Sequence, residues 1–190
     1  MKKEPVTLRM SVGAYLSYEE TSEIRHEYIN GELIPMPGTT LAHNLICGNL
    51  HFLLRTLLKT QGPWLILVEN VKARILSDSD YTYPDVMLTN HPDDFKSKYI
   101  VQFPSVIFEV MSKTSRTEDA VDKFIRYKNI ETLRNYILID SEKRFAEVRT
   151  KQENGDWYSE TYLPSDGALF IPVLNLELPF DGVYEGLDIL

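Results

Sequence analysis

A single cysteine in 190 residues leaves no partner for an internal disulfide and argues against a zinc cluster of Cys/His type. Cys47 sits among apolar neighbours at helical spacing and reads as a small buried hydrophobe. No apolar run approaches the roughly 18 residues of a membrane span, and the opening residues lack the apolar core of a signal peptide. A cytoplasmic protein that does not enter a membrane is therefore expected. Gly/Ser linkers, low-complexity tracts and internal repeats are missing too, which predicts one domain over residues 1–190. With 43% hydrophobic and 11% aromatic residues the chain can bury a sizeable core. Positive charge is scarce. The formal net charge of −8 weighs against a general nucleic-acid coat protein, whose affinity comes from neutralising phosphates with Lys and Arg. A glycine-rich loop that cradles phosphate is also missing, so a nucleotide hydrolase of that type has little support.

What is present reads as a mixed α/β sheet with flanking helices. Val12, Tyr15, Leu16 and Glu19 recur at helical spacing and predict a short helix from Val12 to Glu23. Asn30-Gly31, between two alternating apolar segments, predicts a tight hairpin. From Thr40 to Thr60 the apolar positions Ile46, Leu50, Leu53, Leu54, Leu57 and Leu58 predict a long helix, ended by Gly62-Pro63. Strands are expected around Trp64 to Val68, Val71 to Leu76 and Asp85 to Leu88, with SDSDYT as a loop. Asn90 to Phe103 reads as a loop with a helical turn. After VIFEVM, Ser115 and Glu118 have the form of a capping box, opening a helix with Ala120, Val121, Phe124 and Tyr127 on one face. RNYILID, Phe145 to Thr150 and Trp157 to Leu163 follow as strands, and a proline-rich tail ends the chain.

The run VIFEVM, Val106 to Met111, is apolar enough for a central strand, yet Glu109 stands in its middle. An unpaired carboxylate taken out of water costs several kcal/mol, so such a residue normally has a cation, a metal or a proton nearby. Asp85 lies 24 residues earlier, at the head of another apolar run. Two strand-borne acids of this kind suggest a divalent-metal site. The plainer reading points Glu109 outward from a half-solvated sheet and makes Asp85, after Pro84, an ordinary turn residue. Lys123 lies on the flank of the predicted helix's buried face, where it can reach a cleft edge; the plainer reading pairs it with Asp119 at i, i+4.

The residues EYINGEL, TTLAHNLICGNL, YPDVML and FEVMSKTSRTEDAVDKFIRYKNIETLRNYILID resemble the Uma-type restriction endonuclease family, within the PD-(D/E)XK nuclease superfamily. The resemblance implies a restriction-endonuclease-like core, with a mixed sheet, helices on both sides, and a Mg²⁺-dependent phosphodiesterase site acting on DNA, Mn²⁺ being a possible substitute. It assigns Asp85 and Glu109 as metal ligands and catalytic acids, with the backbone carbonyl of Val110 as a further ligand. Met111 stands where the superfamily usually has lysine. The resemblance matches Lys123 to that role, with Lys113 as the other candidate. Glu27 matches an extra acid, for a second metal or a metal-held water, against a plainer reading as an exposed residue before a hairpin. His43 matches an often polar position and is expected near solvent at the start of the long helix. The acidic charge does not exclude DNA, because a bound metal then supplies the positive field. Lys113, Arg116, Arg126 and Lys128 are candidates for phosphate contacts. A homodimer is implied, with LPFDGVYEGLDIL either supporting pairing or packing on its own sheet. The competing expectation is a catalytically inactive nuclease-fold protein that binds or regulates.

Overall fold

The most apolar segments of the chain become the middle of a six-stranded sheet, and the two acids enter the structure from its strands. The computed structural model describes residues 8–36, 38–76, 80–111 and 118–189. Among them the order is α1 (Val12–Thr21), β1 (His26–Ile29), β2 (Glu32–Pro35), α2 (Leu41–Leu57), β3 (Leu65–Val68), β4 (Lys72–Leu76), β5 (Asp80–Thr82), β6 (Val86–Thr89), β7 (Ile100–Val101), β8 (Val106–Met111), α3 (Glu118–Tyr127), β9 (Asn135–Asp140), β10 (Ala146–Lys151), β11 (Trp157–Tyr162), β12 (Ala168–Ile171), β13 (Leu176–Pro179) and α4 (Phe180–Val183). The six-stranded sheet runs β11-β10-β9-β8-β6-β3, and a five-stranded sheet runs β2-β1-β5-β4-β7. Both are mixed: β8 and β9 pair in parallel, as do β4 and β7, while the other pairs within them are antiparallel. This is the mixed α/β architecture expected.

Alternation along β8 divides the core. Val106, Phe108 and Val110 pack with Ile46, Leu50 and Leu54 of α2 on one face. Ile107 packs with Met87, Tyr127 and Tyr136 on the other, together with Ala73 and Ile75 of the five-stranded sheet, and Met111 lies against them. Each large apolar side chain so buried contributes on the order of 2 kcal/mol. Helix α1 lays Tyr15 onto Tyr28, Leu33 and Tyr81, outside the five-stranded sheet.

Local chemistry sets the ends of these elements. The Thr40 hydroxyl caps α2 by accepting the His43 amide at 3.2 Å, which fixes His43 in the first turn. Asn30 and Gly31 both have positive φ, 51° and 87°, as the primed hairpin turn between β1 and β2 requires.

Several sequence expectations are corrected. The second half of SDSDYT is not loop: Asp80–Thr82 forms β5, held between β1 and β4. Residues 100–101 add a strand to the stretch read as loop with a helical turn, the turn itself lying at Asp94–Lys96. Val121, placed on the buried face of α3, is 47% exposed; the inward face carries Phe124 and Tyr127 instead. The proline-rich tail forms β12, β13 and α4, with Phe180, Val183 and Tyr184 buried against the α2 face, which is the packing alternative for these residues. The Ser115 cap, Lys113 and Arg116 lie outside the described residues, as does the Ala120 side chain.

Candidate active site

The register of β6 and β8 pairs Val86 with Phe108 and Met87 with Ile107. Continued by one residue, it sets Asp85 opposite Glu109, where cross-strand Cβ atoms stand about 4.5–5.5 Å apart. The ladder stops there, and the Asp85 side chain takes over: Oδ2 accepts the Val110 amide at 2.7 Å. A proline before Asp85 supplies no amide of its own to this strand end.

Glu109 does not face solvent. It shares the face of Ile107 and Met111, which α3 covers, and is 4% exposed. Helix α3 supplies two donors one turn apart. Lys123 Nζ lies 2.8 Å from Oε2, and the Tyr127 hydroxyl donates to Oε1 at 2.6 Å. Lys123 thus partners Glu109, while the Asp119 side chain lies outside the described residues. Burial pushes the Glu109 carboxyl up to about 7; the Asp85 charge adds to this, and Lys123 and Tyr127 oppose it. Burial acts to lower the Lys123 ammonium, but Glu109, Glu27 and Asp85 outweigh it and hold the amine above the ordinary lysine range.

Glu27, an exposed residue in its plainer reading, is buried on β1. Thr82 donates to Glu27 Oε1, and its hydroxyl lies 3.2 Å from that of Tyr127. A line of hydroxyls therefore joins Glu27 on one sheet to Glu109 on the other. The Tyr127 hydroxyl is pushed well above its ordinary range, first by burial and then by Glu109 and Glu27, and stays a proton donor.

His43 corrects another expectation. Its side chain is only 13% exposed, with Nε2 3.1 Å from Asp85 Oδ1 and Nδ1 3.8 Å from Glu69 Oε1. Burial acts to lower its pKa, but the hydrogen bond and charge of Asp85, with Glu69 and Glu109, raise it overall. Glu69 is held in the left-handed region, φ 42°, followed by Asn70 at 52°, in the turn from β3 to β4. Its amide donates to the Asp85 carbonyl at 2.9 Å, which ties that turn to the strand end.

A cavity of about 600 Å³ opens between the sheets, with Glu27, His43, Glu69, Asp85, Val110 and Lys123 on its wall. Glu109 is not a wall residue; it reaches this space through Lys123. Asp85, Glu109, Lys123 and Glu27 are thus gathered into one region. Arg126 is half-buried and Lys128 exposed on and just after α3. Sequence reasoning missed Thr82 and Glu69 as parts of this region and took Tyr127 for core only. The position of Tyr127 one helical turn after Lys123 was the available signal.

Residues 12–181 match the family described as "Uma2: Putative restriction endonuclease". The chain is 31% identical over 179 residues to "Uncharacterized protein slr1290" of Synechocystis sp., covering 94% of this chain and 93% of that one. It is 34% identical over 133 residues to "Uncharacterized protein sll1609" of the same organism, 69% of this chain and 75% of that one. In fold it is similar to the crystal structure of "a putative nuclease belonging to DUF820" from Anabaena variabilis, with a TM-score of 0.72 at 18% identity over 92% of this chain and 97% of that one. Among the described residues no helix is long and apolar enough to cross a membrane. The match spans every residue on the cavity wall, from Ile24 to Lys123, and the chain belongs to the family described as "Uma2: Putative restriction endonuclease".

Proposed function

We propose that the chain is a metal-dependent nuclease that hydrolyses phosphodiester bonds in DNA. In this reading Asp85, Glu109, Glu27 and the backbone carbonyl of Val110 hold Mg²⁺, or Mn²⁺ in its place, and Lys123 assists the attacking water. The observation that carries it is the 2.8 Å contact of Lys123 with Glu109 beside Asp85. A lysine from the following helix there occupies the neighbourhood that a lysine at position 111 would serve.

The donor set fits a hard divalent ion, which prefers carboxylate and carbonyl oxygens. Glu27, Glu69, Asp85 and Glu109 outnumber Lys123 and His43, an imbalance of charge that a cation relieves. When bound, the ion supplies positive charge to the phosphoryl oxygens and acidifies the water it holds. The chain does the rest. Val110 and His43 fix the two oxygens of Asp85, and Tyr127 fixes Glu109. Lys123, on the cavity wall, orients the attacking water and offsets charge that grows on the phosphoryl group. In this reading Arg126, on α3, and Lys128, just after it, contact phosphates beside the acids. A homodimer brings one such centre to each strand of a duplex.

Supercoiled and linear DNA incubated with the protein and Mg²⁺ or Mn²⁺ tests this. Cleavage is expected from the wild type and is lost in Asp85→Ala and Glu109→Ala; cleavage that survives both substitutions overturns the assignment. One observation favours a second reading, a binding or regulatory module without catalysis. Both Glu109 oxygens already have protein donors. Calorimetric titration of the wild type and Glu109→Gln with Mn²⁺ separates the two, since a module of that kind binds the ion no differently in the two proteins.

A further inference from the structure

We infer that the first turns of α2 carry a second metal site, for a soft divalent ion such as Zn²⁺, made by His43 Nδ1 and Cys47 Sγ and completed by the Glu69 carboxylate. His43 and Cys47 are four residues apart on α2 and so share one face. Their Nδ1 and Sγ atoms are 3.6 Å apart. With Zn–N near 2.0–2.1 Å and Zn–S near 2.3 Å, the N–S edge of a tetrahedral site is about 3.5 Å, so the pair is already at ligating separation. Glu69 Oε1 stands 3.8 Å from the same nitrogen, and its side chain is 29% exposed, which leaves it room to close on an ion.

One imidazole gives one nitrogen to an ion. With Nδ1 turned to the thiol, Nε2–H is left to Asp85, whose Oδ1 is 3.1 Å away. A carboxylate that holds the far nitrogen of a ligating histidine fixes its tautomer and raises its basicity, an arrangement common around bound zinc. The donor atoms of His43, Cys47 and Asp85 all lie within 4.8 Å of one another, so Asp85 stands beside the ion that His43 and Cys47 hold.

Cys47 is 1% exposed, and its one side-chain polar contact among those described is His43. Burial, with Asp85 and Glu69, pushes its thiol well up, so the sulfur is protonated until an ion displaces the proton. On binding, the S–H bond breaks, a sulfur–metal bond forms, and the proton leaves to solvent; affinity therefore rises with pH. The sequence argued against a zinc cluster because there is one cysteine. Folding adds what a cysteine count does not show, a histidine and a carboxylate from two other positions.

Co²⁺ added to the reduced, full-length protein without DNA is the probe. A thiolate-to-cobalt charge-transfer band in the near ultraviolet is expected. Because Cys47 is the only cysteine, that band has one possible source. It is lost in Cys47→Ser and in Cys47→Ala, with folding checked by circular dichroism, and kept in Glu109→Gln. No band in the wild type, or a band that survives loss of Cys47, overturns the site. A band lost in Glu109→Gln overturns it too, since the ion then belongs to the other centre. None of these readouts depends on cleavage, so failure here leaves the nuclease reading to its own test.

Discussion

Lys123 and Glu109 meet at 2.8 Å although they lie on different elements, α3 and β8, 14 residues apart in the chain. The pair is unequal: the lysine side chain is 24% exposed and the glutamate side chain 5%. The buried acid thus meets the cavity through a partner that can be drawn away from it.

Removing that partner has two separable effects. Lys123→Ala leaves Glu109 buried without its cation, and a loss of stability of about 1–3 kcal/mol is expected, smaller than for a fully buried pair because the lysine is partly solvated. On the proposed mechanism, single-turnover DNA cleavage falls by about 10²–10³. Met111→Lys in the same background recovers part of the rate, because residue 111 shares the Glu109 face. Cleavage by Lys123→Ala at the wild-type rate removes the lysine from the mechanism.

Tyr127→Phe takes one hydroxyl from the line between Glu27 and Glu109 and leaves the ring in place. Destabilisation of about 1–3 kcal/mol is expected from the unsatisfied carboxylate oxygen. Mn²⁺ affinity, read by calorimetry, drops about 10-fold to 100-fold, the usual effect of losing a residue that orients a metal ligand. Unchanged Mn²⁺ affinity in a folded Tyr127→Phe protein confines Tyr127 to packing.

A second buried carboxylate, on α1, tests the cost of leaving the partners of such a group unsatisfied. Glu19 of α1 is fully buried and accepts from the His26 amide at 2.9 Å and the Tyr83 hydroxyl at 2.9 Å, with His26 Nδ1 at 3.1 Å. Glu19→Ala strands these groups. A loss of about 2–4 kcal/mol is expected, which in a chain of this size lowers the melting temperature by roughly 4–16 °C. A shift under 2 °C, well below that range, contradicts the account.

One pH effect follows from β10. Burial alone raises Glu147, but Arg149, at 2.8 and 3.1 Å, and the Ser159 hydroxyl outweigh it and hold the carboxyl below its ordinary value. A depressed folded-state pKa gives stability that is present above the unfolded pKa, near 4.3 for glutamate, and lost as pH falls through the folded one. Melting temperatures of the wild type and Glu147→Gln should differ at pH 6 and converge once the pH has fallen below the folded-state pKa of Glu147. A gap that persists there rules the ionised form out as its source.

Much of this arrangement is legible in the sequence where a single period or turn decides it. Asn30-Gly31 dictates its hairpin, and the spacing of Ile46, Leu50 and Leu54 dictates α2. Glu109 announces itself because a charge in VIFEVM demands a partner. Which partner it takes is not local information. Lys123 satisfies the i, i+4 rule with Asp119, and only the docking of α3 on β8 brings it to Glu109. Likewise nothing near Asp80–Thr82 marks a strand, since its pairing comes from β1 and β4, distant in sequence. Helical periodicity gives a face but not its width, so it assigns Val121 to the buried side of α3 although that residue is exposed. His43 was read as exposed because the first turn of a helix usually is, and the strand end that covers it belongs to another segment.

The covering of α2 by the last strands and α4 also orders events in time. Asn49 Nδ2 donates to the Val183 carbonyl at 3.1 Å, across 134 residues, and the Tyr184 hydroxyl is tied to the 140–145 turn by a 3.0 Å bond to the Asp140 carbonyl. The helix that presents His43 and Cys47 is thus closed over by a segment 134 residues further along the chain. Contacts so distant in sequence form slowly, and until they do the apolar face of α2 is open to chaperones and to other nascent chains.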